Sequence, residues 1–306
     1  MNSESPFHEG ELEVQQRVGE TQSAQKNGRI IASAIAENAI KFIEQQPMVI
    51  LGSIDPQQNL WASVLLGSPD FVNVVNLQKI QLNLTRIFRN FYDPFWTNIQ
   101  HDSRVGLLLI DLENRRRVRI NGRIVKQDHE QLEIAVEESY PNCSKYIQRR
   151  HLVQTKSSNL IAIKRQGEQL EAAHKILINS SDTFFVVSAY PSRGVDTSHR
   201  GGNPGFVRVL DDKTLRIPDY VGNSMFNTLG NFAVNPRAGL VFLDFQNNRI
   251  LQLTGEAEIL WELDDPTHET GGTKRYWNFT VKQWLETQLT QSFDWEFIDY
   301  SPHNPS

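Results

Sequence analysis

Cysteine is almost absent from this 306-residue chain: Cys143 stands alone, which excludes an internal disulfide framework and any cysteine-rich metal site. An excess of positive charge is absent too. With 31 lysines and arginines against 36 acidic residues, a formal charge of −5 and a pI near 5.9, the chain lacks the basic surplus of a general nucleic-acid or anionic-membrane binder. No apolar run approaches the ~18 residues of a membrane-spanning helix. The first residues carry Glu4, Glu9, Glu11 and Glu13 instead of a basic stretch and an apolar core, so the expectation is a soluble cytoplasmic protein. The eight histidines show neither HExxH nor paired spacing, and no metal site is expected. No GxGxxG, Walker A or GxSxG motif occurs.

What is present is an internal repeat. The set Asn98, Arg104, Gly106, Leu107, Asp111, Asn114, Arg116, Gly122 returns as Asn231, Arg237, Gly239, Leu240, Asp244, Asn247, Arg249, Gly255, each pair 133 residues apart. A second set, Ser53, Pro56, Ser63, Gly67, Pro69, Phe71, Val72, Val74, returns as Ser188, Pro191, Ser198, Gly202, Pro204, Phe206, Val207, Val209 at an offset of 135. A repeat of this length means two related modules in tandem, and function must then come from where the copies differ.

The pattern predicts an N-terminal arm and helix over residues 1–46, a first module over 47–152, a connecting helix within 153–182, and a second module over 183–306. Residues 1–27 read as a polar, irregular arm, and Ile31, Ile35, Ala39, Phe42 and Ile43 as one face of a helix ending before Pro47. Short strands punctuated by Gly, Pro, Asp and Asn fill both modules: 48–54, 61–66, 71–75, 80–84, 105–111, 118–125 and one through Leu132, Ile134 and Val136, then 183–189, 196–200, 206–210, 214–217, 238–245 and 250–260. Residues 142–151 read as a short helix, and Leu170, Ala173, Ile176 and Leu177 as one face of a longer one. The aromatic C-terminus, with Trp277, Phe279, Trp284, Phe293, Trp295 and Phe297, reads as a tail packed onto the body. The fold class is therefore mainly β with peripheral helices.

The copies diverge most where Ser63-Val64-Leu65-Leu66-Gly67 is matched by Ser198-His199-Arg200-Gly201-Gly202. An apolar strand has become one that offers a hydroxyl, an imidazole, a guanidinium and close backbone approach, the groups that a phosphate ester requires. Pro218-Asp219-Tyr220, Gly222-Asn223 and Asn227-Thr228 follow and run into a probable helical turn whose first amides favour an anion.

These residues resemble the pyridoxamine 5′-phosphate oxidase-like, FMN-binding split-barrel family, in a tandem form. The resemblance is carried by the run from Ser198 to Asp212, by Pro218-Asp219-Tyr220 and Gly222-Asn223, and by Asn231-Phe232 with Asn235-Pro236-Arg237. It is supported by the run from Arg115 to Gly122, by Asn142-Cys143-Ser144-Lys145-Tyr146-Ile147, and by the ending Tyr300-Ser301-Pro302-His303-Asn304-Pro305. It implies two tandem split β-barrel modules with FMN in the cleft between them. The binding residues it implies are Ser198, His199, Arg200, Gly201, Gly202, Pro218, Asp219, Tyr220, Gly222, Asn223, Asn227, Thr228 and Asn231. The lysine common near the turn in oxidase-type members has no counterpart at Asn227 or Thr228, which leaves the phosphate charge mainly on Arg200. Residues 115–117, Trp96, Arg249 and Gln252 are further candidates to flank the flavin. Two functional readings stand: a flavin-dependent oxidoreductase of unknown small-molecule substrate and electron donor, or a non-catalytic flavin-binding protein for storage, sensing or scaffolding. Pairing of the barrels within one chain or across a homodimer stays open at this point, as does any catalytic residue.

Overall fold

The computed structural model describes residues 5–157, 163–289 and 291–305. Residues 1–4 of the expected arm, 158–162 of the expected connecting segment, and 290 and 306 of the second module lie outside the described residues. The chain opens with helices α1 (Glu9–Arg17), α2 (Thr21–Asn27) and α3 (Ile40–Glu44). The first module holds β1 (Met48–Ile54), β2 (Leu60–Leu66), β3 (Val72–Asn76), β4 (Lys79–Asn83), α4 (Phe95–Asn98), β5 (Arg104–Asp111), β6 (Arg116–Gln127) and β7 (Gln131–Pro141). After β8 (Arg149–Ser157), β9 (Lys164–Gly167) and α5 (Ala172–Ser180), the second module repeats the plan. It comprises β10 (Thr183–Tyr190), β11 (Gly194–Gly201), β12 (Arg208–Val209), β13 (Thr214–Pro218), α6 (Asn227–Val234), β14 (Arg237–Asp244), β15 (Arg249–Leu260) and β16 (Tyr276–Gln288), followed by β17 (Gln291–Asp299).

The repeat is structural. One antiparallel sheet runs β2-β1-β5-β6-β7-β4-β3 and the other β11-β10-β14-β15-β16-β13-β12, the same order element for element. Both are open paths. In the first module one face of each strand supplies a common core, for example Val49 and Leu51 of β1, Leu107 of β5, Ile120 of β6 and Ile134 of β7. Because successive side chains alternate between faces, the other face of β1 presents Met48 and Ile50, and these enter a separate core shared with Phe185, Val187 and Val241 of the second module. The strands that carry both faces are accordingly apolar apart from Ser53 and Ser63, with β1 and β2 buried at every position. The two modules thus pair within one chain.

The seam between them obeys the repeat's own symmetry. A Cβ on Gly106 would lie 2.2 Å from the Val195 carbonyl oxygen, and one on Gly239 would lie 2.6 Å from the Leu60 carbonyl oxygen. Gly106 and Gly239 are repeat partners, and so are Leu60 and Val195. Arg104 Nη1 donates to the Pro191 carbonyl at 2.6 Å, and its repeat partner Arg237 donates to the Gln58 carbonyl at 3.0 Å. Each module therefore presses a glycine of its third major strand against the hairpin strand of the other.

Several expectations need correction. Residues 31–36 are not helical, and of the helix expected through Ile31–Ile43 only a 3-10 turn (Glu37–Ala39) and α3 form; Ile35 instead enters the first core from irregular chain. The N-terminal arm is helical, with His8 capping α1 through the Gly10 amide and Glu11 returning to the His8 amide. Residues 142–148 form a loop and not a helix. In α5 the buried side is His174, Leu177 and Ile178, while Ile176 is exposed. The aromatic C-terminus is no peripheral tail: Trp277 and Phe279 are fully buried on β16, a central strand of the second sheet. The boundary at residue 152 falls inside β8, which pairs with β17 from the far end of the chain.

Gly106→Ala is expected to destabilise the protein by about 1–3 kcal/mol through overpacking of the seam. Gly194→Ala, where a Cβ meets nothing within 4 Å, is expected to stay within about 0.5 kcal/mol of wild type. Urea unfolding of both variants checks this, and equal effects would contradict the assigned seam.

Candidate functional site

On one side the seam opens into a solvent-facing cleft that, together with the open solvent at its mouth, spans about 910 Å³. The second module supplies one wall. β11 contributes Ser198, His199, Arg200 and Gly201; the segment after β13 contributes Pro218, Asp219, Tyr220, Gly222 and Asn223; the first turn of α6 contributes Asn227 and Thr228. The first module supplies the other wall through Leu108, Arg117 and Arg119, and through Asn142, Cys143, Lys145 and Tyr146 of the loop between β7 and β8.

The structure brings together every expected site residue except two. Gly202 is turned away, its amide bonded to the Asp182 carbonyl at 3.0 Å and the space for a Cβ taken by Phe206. Asn231 faces the opposite side of α6, where it bonds Ser188 Oγ, Asp196 Oδ2 and His8 Nε2. Gly201 needs to be glycine, since a Cβ there would lie 2.1 Å from the Tyr146 carbonyl oxygen. Trp96 belongs to the first core, Arg249 pairs with Asp244 and Glu286, and Arg115 bonds the Ile147 carbonyl. Of the flanking candidates only Arg117 lines the cleft.

Charge is the outstanding property of this cleft. Asp219, the one acid among its described lining residues, is engaged by Arg275 Nε at 3.0 Å, and Arg119 is paired with Asp196 at 3.2 Å. Arg117, Lys145 and Arg200 have no carboxylate ion pair among the described residues. Arg117 and Arg200 keep a rim of exposed surface, yet their head groups are desolvated. Burial, reinforced by the Arg200 charge, pulls the Arg117 pKa down to about 9. Burial likewise lowers that of Arg200, against the pull of Asp219. Burial first, and then the charges of Arg117, Arg200 and Arg150, hold His199 well below the usual histidine range, so its ring is neutral at physiological pH.

Polar atoms in the cleft also lack partners. Both ring nitrogens of His199, Nε of Arg200 and Nδ2 of Asn142 are buried without a hydrogen bond, and such groups cost about 1–3 kcal/mol each while unsatisfied. No side chain caps α6 at its N-terminus, where Phe226 sits at φ 60°, and Asn227 and Thr228 of that first turn line the cleft. Ser224 and Tyr146, on the two walls, share the left-handed backbone region at φ 64° and 65°, a strain that collects at ligand-binding loops. Gln148, fully buried, donates to the carbonyls of Tyr146 at 3.0 Å and Gly202 at 3.3 Å and thereby pins one wall to the other.

The pseudo-symmetric counterpart of the cleft is closed. Arg119 Nε donates across the seam to the Thr197 carbonyl at 3.0 Å, and its repeat partner Gln252 donates to the Ala62 carbonyl at 2.8 Å. Where the first site has His199 and Arg200, the second has Val64 and Leu65, both buried. Asp93 is buried there against Ser63 at 2.5 Å, its pKa pushed up to about 6 by burial.

Arg200 is not the only cation at the cleft. Arg117 and Lys145 bring further charge from the first module, and Leu108, Asn142, Cys143 and Tyr146 complete its wall. The runs 115–122 and 142–147 contain most of them, but only the folded seam places them opposite β11.

No protein-family model matches the chain, and none of the curated proteins matches its sequence. Among solved structures it is similar to HupZ of Group A Streptococcus (20% identity, TM-score 0.29, 37% of this chain and 89% of that one). It is also similar to a putative pyridoxamine 5′-phosphate oxidase of Lactobacillus delbrueckii (14%, TM-score 0.31, 39% and 94%). A third likeness is to a FAD-binding protein of Mesorhizobium loti (11%, TM-score 0.29, 42% and 98%). Each is a likeness of fold over less than half of this chain.

Because Arg200 is a desolvated cation with no hydrogen bond from its Nε, Arg200→Met is expected to leave the ligand-free protein as stable as wild type or up to ~1 kcal/mol more stable. Urea unfolding without ligand measures this. A loss above about 2 kcal/mol would show that Arg200 is structural.

Proposed function

We propose that the chain binds one flavin mononucleotide in this cleft, with the phosphate held by Arg200, Arg117 and Lys145 and the ring seated between the module walls. The observation that carries the reading is the set of three desolvated or unpaired cations facing buried, partnerless polar atoms across a seam. That arrangement is unfavourable while empty and becomes favourable around a phosphate dianion, since charge-assisted hydrogen bonds are the strong ones. The residues present fit the group. Arg200 Nε and the first-turn amides of α6 are donors suited to phosphate oxygens, joined by whichever of the mutually bonded Ser198 and Thr228 hydroxyls (3.2 Å apart) does not donate to the other. The Tyr146 and Tyr220 rings, with centroids 4.9 Å apart, and Leu108 offer an apolar and aromatic lining for a planar ring.

A bound flavin would supply hydride or electron transfer. The chain's own residues would bind and orient it, exclude water from the seam, and present the neutral His199 ring as a hydrogen-bonding group. The leading reading is a flavin-dependent oxidoreductase of unknown substrate and electron donor. The alternative is a flavin-binding protein without chemistry. It draws support from His199, whose depressed pKa removes the one imidazole in the cleft as a proton donor near neutral pH.

Two measurements test this. Wild type mixed with FMN is expected to show a flavin band near 450 nm that bleaches with NADPH and recovers in air if the protein is an oxidoreductase; a stable band without turnover favours the binding module, and no uptake of FMN refutes the proposal. Arg200→Met is expected to weaken FMN binding by about 1.5–3 kcal/mol, the worth of a charged hydrogen bond. Leu65→Ala, at the matched position of the closed half, is expected to cost about 2–5 kcal/mol of stability with FMN affinity retained.

A further inference from the structure

The N-terminal arm reaches the cleft from behind. α1 crosses α6 so closely that a Cβ on Gly10 would lie 2.3 Å from the Gly230 carbonyl oxygen, and one on Gly230 would lie 2.5 Å from Glu11. Three polar contacts accompany that crossing. Asn227, which lines the cleft, donates its side-chain amide to Glu11 Oε1. Gln15 Nε2 donates to the Met225 carbonyl at 3.1 Å, and Asn27 Nδ2 donates to the Asn223 carbonyl at 2.8 Å. The arm thus fastens both the loop and the first helical turn that form the second-module wall.

Glu11 is buried to 3% exposure and accepts from the His8 amide at 2.9 Å as well as from Asn227. We propose that Glu11 is a positioning residue of the cleft: acting through Asn227, it locks the arm onto the first turn of α6 and so sets the affinity of the cleft for a phosphate-bearing ligand. The affinity half of this rests on the flavin reading above; the locking half does not.

The surroundings give the lock a sign. Glu11 faces Asp196 on β11, Glu138 on β7 and the Tyr140 hydroxyl on the same strand. Burial lowers the pKa of His8 on the arm, Arg119 on β6 is committed to Asp196, and Arg193 bonds the Pro6 carbonyl. Desolvation, with the Asp196 charge next, raises the Glu11 pKa from 4.5 to about 8. A group whose pKa is raised on docking favours the docked state fully below its free value and progressively less as pH rises to the docked value. Arm docking is therefore strongest below about pH 4.5, weakens between about 4.5 and 8 and levels off above 8.

Hydrogen exchange of the ligand-free full chain at pH 6 and pH 9 tests the lock. Protection of residues 223–231 in wild type, corrected for intrinsic rates, is expected to fall roughly a hundredfold between the two values. In Glu11→Gln, which keeps a neutral acceptor for Asn227 but cannot ionise, protection is expected to stay level. FMN affinity measured by fluorescence quenching at the same two pH values is expected to weaken several-fold more in wild type than in Glu11→Gln. The same pH slope in both proteins, or a level wild-type profile even where the variant fails to fold, overturns the proposal. FMN bound by neither protein defeats the flavin reading alone, because the exchange profiles still decide the role of Glu11.

Discussion

The structure depends on the face-to-face pairing of two open β sheets across a seam that admits no side chain at Gly106 or Gly239. Backbone approach at those points lets β11 lie against β5 and β2 against β14, so each module covers apolar surface that the other could not bury alone. The same closeness places Arg119 within reach of the Thr197 carbonyl and Gln252 within reach of Ala62. A module by itself would expose Met48, Ile50, Phe185 and Val241 to water, which is the physical reason that the duplicated units stay together.

From that symmetric frame one half has been closed and the other opened. Val64 and Leu65 are buried at the counterpart positions, beside the hydrogen-bonded Ser63, Asp93 and Gln252, while the cleft concentrates Arg117, Lys145 and Arg200 with little counter-charge. Desolvated charge opposes folding unless it is compensated, and here the compensation within the described residues is partial: Asp219 already serves Arg275, and Asp196 serves Arg119. A site built in this way binds an anion by relieving a cost that the empty protein carries, which couples occupancy to the stability of the seam. Gln148 from one wall and the N-terminal arm behind the other keep the donors aimed while the site is empty. Among the described residues, no helix is long and apolar enough to cross a membrane.

Much of this was legible in the sequence. The offset repeat predicted two equivalent modules, and the strands of both were readable from short apolar runs between turn residues, with β1 matching its expected limits of 48–54. The replacement of Val64 and Leu65 by His199 and Arg200 pointed to the polar wall. Illegible were features that depend on distant partners. β16 and β17 were hidden because Trp277, Phe279 and Phe293 resemble a packed tail until the neighbouring strands are known. The arm's helices are polar, and their burial rests on Gly10 meeting Gly230 and on capping by His8. Lys145 and Arg117 could not be assigned to the cleft because their role comes from the seam, not from their local spacing. Asn231, a repeat residue expected within the site, faces the other side of its helix.

The central claim is that a symmetric frame carries a single anion-binding half, and equilibrium titration of the purified full chain with FMN, following flavin fluorescence to saturation, tests it most directly. The account predicts saturation at one equivalent per chain, with binding that weakens as salt screens the cations. Saturation at two equivalents, or no uptake at any concentration below that of non-specific binding, would contradict it.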